Sequence, residues 1–209
     1  TFMFFPYLLS FLYEQNKFIT NVNATGNSII YQGYVQSKYK FDKNFTLFTG
    51  LHSMYFNLNN NFSFEPRLSL KWNITDYRSI TLGYGLHSQM QPLSLYFMNY
   101  TDNTGRTTQV NKDLNFSKAK HFSISYDDMI FSNWRVKLEL YYQDLFNIPI
   151  AKDTMDNKHS SEFLASYSAL NAGSNFDYIK LANTGTGKNY GAEITIEKFL
   201  NNGWYFMAT

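Results

Sequence analysis

The residues with most chemical potential are four histidines, His52, His87, His121 and His159. A short repeat places two of them: Gly50-Leu51-His52-Ser53 recurs as Gly85-Leu86-His87-Ser88. An imidazole binds metals, moves protons or, when protonated, attracts anions. Metal binding needs convergent ligands, but there is no His-Glu-x-x-His run and no close histidine pair. If His52 and His87 stand on alternate strands they are about 9.5 Å apart, twice the usual strand spacing, which is too far to share one ion. Arg67 lies between them in sequence, so the chemistry left to these residues is an electropositive row, His52, Arg67, His87, that holds an anionic group. No metal site and no cofactor are expected.

Two other chemistries fail on residue type. Gly185-Thr186-Gly187-Lys188 ends like a phosphate-binding loop, but Ala182 stands where the first glycine belongs and Asn189 where a Ser or Thr is needed. No serine sits in a Gly-x-Ser-x-Gly elbow, and no nucleophile with His and acid partners can be assembled. No catalytic residue is assigned, and the chain is read as a non-enzyme.

The elements that must position the row are strands. From Glu65 to Gln89, Leu68, Leu70, Trp72 and Ile74 alternate with Arg67, Ser69, Lys71 and Asn73, and Ile80, Leu82, Tyr84 and Leu86 alternate with Thr81, Gly83, Gly85 and His87. This period of two gives each strand one apolar and one polar face. A hairpin turning at Thr75 to Arg78 joins the two apolar sets, and its pairing brings Arg67 level with Leu86 or His87. The same pattern predicts strands at 28–41, 45–56, 120–130, 135–145 and 190–199, and a further one starting at Trp204 after an Asn-Gly turn at 201–203. Parity puts His52 and His87 on the polar face, at nearly one height. The stretch Ser160 to Leu170 is compatible with a short helix inside a long connection from about Asn147 to Asn189.

Apolar and polar faces of this kind suit a soluble sandwich or a membrane barrel. The 209 residues include 20 Phe, 17 Tyr and 3 Trp, with no Cys and only 16% charged residues, against about a quarter charged in ordinary globular chains. No apolar run of the ~18 residues needed for a spanning helix exists. The small positive charge, +2, comes without a basic cluster, so nucleic acid is not an expected partner. Connections at Asp42, Thr75, Phe131 and Asn201 read as short, and those at Asn57, Gln91 and Asn147 as longer. Outer-membrane barrels have short turns on one side and long loops on the other. Trp72, Trp134 and Trp204 each fall beside a short turn, as an interfacial girdle requires. The barrel reading puts Leu68, Leu70, Ile80, Leu82, Val136, Leu138, Ile194 and Ile196 against lipid. It makes residues 28–209 part of one transmembrane β-barrel domain, with 1–27 a loop or the end of a preceding strand. The apolar start, without a basic n-region or a small-residue cleavage site, reads as chain interior rather than a signal peptide.

The runs FSFEPRLSLKW, ITLGYGLHSQMQPLSLYF, LELYYQDLFNIPI and NTGTGKNYGAEITIEKFLNNGWYF resemble the C-terminal half of the barrel of TonB-dependent outer-membrane receptors, of the type with an N-terminal carboxypeptidase-regulatory-like domain. The resemblance covers about Ser28 to Thr209. It implies an all-β fold, an antiparallel transmembrane β-barrel of 22 strands of which about eight are here, in the bacterial outer membrane of a Gram-negative cell. It further implies a plug domain and transport of a nutrient too large for porins, driven through TonB by N-terminal parts not in this sequence. The expected partners are membrane lipid, the TonB complex, an unknown nutrient and a surface lipoprotein. A passive porin, or a structural barrel subunit of a surface complex, is the alternative. In a receptor the row His52, Arg67, His87 would face the lumen and hold the plug or an anionic substrate group.

Overall fold

The computed structural model describes residues 27–101, 104–151 and 180–209. Eight strands form one antiparallel sheet: β1 (Ile30–Lys40), β2 (Phe45–Phe56), β3 (Asn61–Asn73), β4 (Arg78–Gln89), β7 (Ser117–Phe131), β8 (Trp134–Ala151), β9 (Leu181–Asn201) and β10 (Trp204–Ala208), in that spatial order. Each pairs with its neighbour in sequence. The connection between β4 and β7 carries a one-turn helix α1 (Leu93–Tyr96) and a minimal pair of strands, β5 (Tyr100–Thr101) and β6 (Thr107–Thr108). The earlier expectation of a helix at 160–170 and the reading of residues 1–26 lie outside the described residues.

Such an up-and-down order puts successive connections at alternate ends of the strands. At one end are residues 41–44, 74–77, 132–133 and 202–203, closed by side chains suited to tight turns. Asp42 Oδ1 accepts the N–H groups of Asn44 and Phe45 at 2.7 and 2.8 Å, and Thr75 Oγ1 accepts those of Tyr77 and Arg78 at 3.2 and 3.1 Å. Asn202 and Gly203 have φ of 55° and 82°, the positive values of a two-residue hairpin turn that matches strand twist.

At the other end the sequence reading needs two corrections. The connection at Asn57 is not long: it has four residues, 57–60, like the turns at 41–44 and 74–77. Asparagines tighten it, with Asn60 at φ 56°, the Asn61 N–H donating to Asn59 Oδ1 at 3.2 Å, and the Tyr55 hydroxyl donating to Asn60 Oδ1 at 2.6 Å. The stretch from Asn147 to Asn189 is not all connection either. β8 runs on to Ala151 and β9 starts at Leu181, eight residues or more before the alternation becomes legible at Tyr190. Asn147 has φ 55° and the register slips between Leu145 and Ile148 and again before Ile150. Irregularities of this kind shift which side chain faces which side, so a strict period of two cannot be followed through them.

The apolar positions face outward with nothing among the described residues packed over them. Leu68, Leu82 and Ile194 are 49%, 50% and 58% exposed, Leu138 and Ile196 are also exposed, and Leu70, Ile80 and Val136 are half-buried. A sandwich would bury all eight under a second sheet. At the short-turn end Trp72 stacks on Phe45 with ring centres 6.0 Å apart, and Trp134 meets Trp204 edge-on at 6.3 Å. Lys198 lies on the Trp204 ring, its Nζ 3.7 Å from the centre, and donates to the carbonyls of Asn201 and Trp204 at 3.1 and 3.0 Å. An ammonium that reaches turn carbonyls from an aromatic belt is the usual way for a lysine to sit at a membrane interface.

The buried core sits on the opposite, polar-parity face at the loop end. Met54 and Phe56 of β2 pack with Leu93, Leu95 and Tyr96 around α1 and with Leu114, Phe116 and Leu181. Burial pushes the Tyr96 phenol's pKa up, and its oxygen accepts the Gln91 N–H at 3.3 Å. Asparagines tie this folded connection down. Asn59 Nδ2 donates to the carbonyls of Lys112 and Leu114 at 3.1 and 2.8 Å, the Leu181 N–H donates to Asn111 Oδ1 at 2.8 Å, and Asn183 bridges Asn115 and Asn147.

Candidate functional site

His52, Arg67 and His87 all project from the polar face, because each keeps the parity of its strand. Arg67 and His87 line a concavity of about 590 Å³ with Gln36, Gly50, Ser69 and Ser123. The register, however, differs from the sequence reading. Arg67 pairs with Gly85 on one side and Gly50 on the other, not with Leu86 or His87. The residue opposite His52 is Glu65; the β3–β4 pairing ends at Arg67–Gly85, and its register carried two residues further sets Glu65 level with His87. The row is therefore His52, Glu65, His87, with Arg67 one step nearer the short turns.

Glu65 is the centre of the arrangement, and it changes the electrostatics. Its side chain is 2% exposed. Oε2 accepts from His52 Nδ1 at 3.0 Å and faces the Arg67 guanidinium at 3.5 Å, and Oε1 accepts from the Ser63 hydroxyl at 2.9 Å. A buried carboxylate is tolerated only when donors meet its oxygens, and here three side chains do so. The expected all-positive patch thus carries a central negative charge. Arg67 remains 49% exposed and, together with Lys38, offers the concavity a cation.

A further histidine lies beyond the residues singled out from sequence. His121 pairs with Gly85, level with Arg67, and its ring lies 6.1 Å from that of His87 and meets Tyr141 edge-on at 6.2 Å. Among the described residues His121 Nε2 is buried without a hydrogen-bond partner. Glycines let these rings lie flat: a Cβ at Gly85 would stand 2.8 Å from His87 Nε2, and one at Gly191 would stand 2.6 Å from the Tyr141 hydroxyl. His121 and Glu65 share the polar parity in sequence, but nothing local marks Glu65 as buried. Nearer the short turns Arg135 holds Asp127 through Nε at 2.9 and 3.0 Å and through a closer Nη2 contact, and reaches Glu197 at 3.4 Å. Lys137 pairs with Glu139 at 2.6 Å. These partly exposed pairs are each worth about 1 kcal/mol or less and brace the wall. Gly185 to Lys188 lie within β9, in extended strand without positive φ, so no phosphate loop forms there. Among the described residues no group of three or more His, Asp or Glu side chains is placed to hold a metal ion.

The sheet with these two faces matches solved outer-membrane receptors. It superposes on the siderophore receptor PirA from Pseudomonas aeruginosa with TM-score 0.61 and 13% identity, over 87% of this chain and 33% of that one. On the outer membrane transporter YddB from Escherichia coli the values are 0.60 and 16%, over 84% and 22%. The RagAB peptide importer in its closed-closed state gives 0.58 and 12%, over 88% and 21%. The chain therefore spans a fifth to a third of the length of these proteins. At such identities the likeness establishes the fold, and the chain has the fold of a segment of an outer-membrane β-barrel. No family model matches the sequence, and no curated protein matches it.

Proposed function

We propose that this chain forms part of the barrel wall of an outer-membrane receptor that imports a nutrient too large for porins, driven through the TonB complex. The observation that carries this reading is the eight-strand meander with an uncovered apolar face and a polar concave one. An apolar outer band over a polar interior is what lipid on one side and water on the other select. The open edges at β1 and β10 would each be costly in lipid, so residues 28–209 are one part of a larger barrel domain, of 22 strands on the family resemblance, with a plug and a carboxypeptidase-regulatory-like domain upstream. Membrane lipid, TonB and a surface lipoprotein are its proposed partners. The structural neighbours include siderophore receptors and a peptide importer, and the substrate proposed here is defined only as one that presents an anionic group.

Within this reading His52, Arg67 and His87 form a lumen subsite in which Glu65 holds His52 and Arg67 in place, and Arg67 contacts an anionic group of the plug or the nutrient. Two measurements test the proposal. The whole protein in a planar bilayer stays closed at low voltage if it is a plugged receptor, whereas a steady large conductance means a passive porin. Arg67→Ala lowers nutrient-dependent growth while the barrel still migrates as a folded, heat-modifiable band. Undiminished growth removes the subsite and leaves the wall reading.

A further inference from the structure

The outward face carries a second chemistry at the loop end, and the register shows where it begins. Along β8, Trp134, Val136, Leu138, Leu140 and Tyr142 point outward in succession. The eight residue steps from Trp134 to Tyr142 cover about 27 Å of strand at ~3.4 Å each, or about 20 Å across the membrane at a tilt of ~40°. Tyr142 belongs to an aromatic row, Tyr84, Phe122, Tyr142 and Tyr190, paired across four strands. Phe122 is 44% and Tyr190 80% exposed. This row closes the apolar band at the loop side as the tryptophans close it at the turn side.

The next outward row, two residues beyond, is Leu86, Lys120, Asp144 and Lys188, with Lys118 one step further. Its members alternate with His121, Gln143 and Asn189 of the polar face, so their side chains leave the barrel on the lipid side. Three lysines stand against one aspartate. The contact from Lys120 Nζ to Asp144 Oδ2 is a loose 3.5 Å between side chains 47% and 36% exposed. Lys118 and Lys188 form no ion pair with a described residue. Ammonium groups directly outside an aromatic girdle lie at the depth of lipid headgroups, where surface phosphate attracts each by about 1 kcal/mol.

We infer that Lys118, Lys120 and Lys188 form a binding surface for the phosphate groups of an anionic lipid in the leaflet on the loop side. The inference rests on the membrane reading above and adds a ligand that the transport reading does not require. Charge complementarity fixes the occupant. A neutral headgroup gives three lysines no counter-charge, and an acidic protein partner would have to displace acyl chains from the adjoining aromatic row.

The test uses the whole protein in detergent, titrated with bisphosphorylated lipid A, with the same lipid after dephosphorylation, and with inorganic phosphate. Wild type binds the bisphosphorylated lipid. Lys120→Gln or Lys188→Gln weakens this about fivefold and the double variant about thirtyfold, the factors expected of ~1 kcal/mol per lysine. Lys43→Gln, at the opposite end, leaves it unchanged. Equal binding of the dephosphorylated lipid, a double variant within twofold of wild type, or inorganic phosphate that saturates the site as well as the lipid does would each overturn the inference. Quenching of the three tryptophans by brominated acyl chains tests the membrane reading separately. With quenching present and lipid binding unaffected by the lysines, only the headgroup site falls.

Discussion

Removing the Glu65 carboxylate is the most direct probe of the lumen wall. Its side chain is 2% exposed and meets His52, Ser63 and Arg67. Glu65→Gln keeps the volume and one acceptor. The amide oxygen can still accept from Ser63, and its nitrogen can donate to the other tautomer of His52, so two of the three contacts survive. What is lost is a charge-assisted bond to His52, worth about 1 kcal/mol more than its neutral replacement, and a 3.5 Å contact to a half-exposed guanidinium, worth close to nothing in water. The expected cost is about 1 kcal/mol. Glu65→Ala also strands the buried Ser63 hydroxyl, about 1–3 kcal/mol, and leaves a hole, so its cost is about 3 kcal/mol. Urea unfolding of the barrel in lipid vesicles, followed by tryptophan fluorescence, separates the two values. If Glu65→Ala costs less than about 0.5 kcal/mol, the carboxylate is not the anchor of this wall and the argument that it orients His52 and Arg67 fails.

Three further outcomes follow from the same geometry. Leu82→Arg, in the middle of the uncovered apolar face, lowers folding into vesicles by about 2–4 kcal/mol, whereas Ser69→Arg on the polar face is tolerated; equal penalties would mean the faces are misassigned. Phe56→Ala removes the buried ring that meets Tyr96 at 5.1 Å and costs about 3–5 kcal/mol locally, which hydrogen exchange reads as lost protection at Leu95 and Phe97 while the sheet stays protected. Arg67→Ala lowers uptake with assembly intact, read by growth on the nutrient, and growth equal to wild type would refute its role.

The faces were legible in the sequence because side-chain direction in a strand is a local property. Alternation alone separates Leu68, Leu70 and Leu82 from Arg67, Ser69 and His87, and a period of two needs no knowledge of the partner strand. The turns at Asp42, Thr75 and Asn202-Gly203 were legible for the same reason, since their side chains bond within three residues of themselves or set their own φ. Register was not. Whether Arg67 faces Gly85 or His87 depends on how many residues the turn at 74–77 takes up, and a shift of two keeps every apolar side chain on the outer face while it exchanges Arg67 for Glu65 in the row between the histidines. Burial of Glu65 was equally hidden. It depends on Ser63 and His52 closing around one carboxylate across two strands, whereas the sequence shows only another polar residue at a polar position. The extent of β9 was hidden by the slips around Asn147, because pairing with β8, rather than alternation, is what makes residues 181–189 a strand. Local chemistry thus decided which way each side chain points, and the pairing of distant strands decided what it meets.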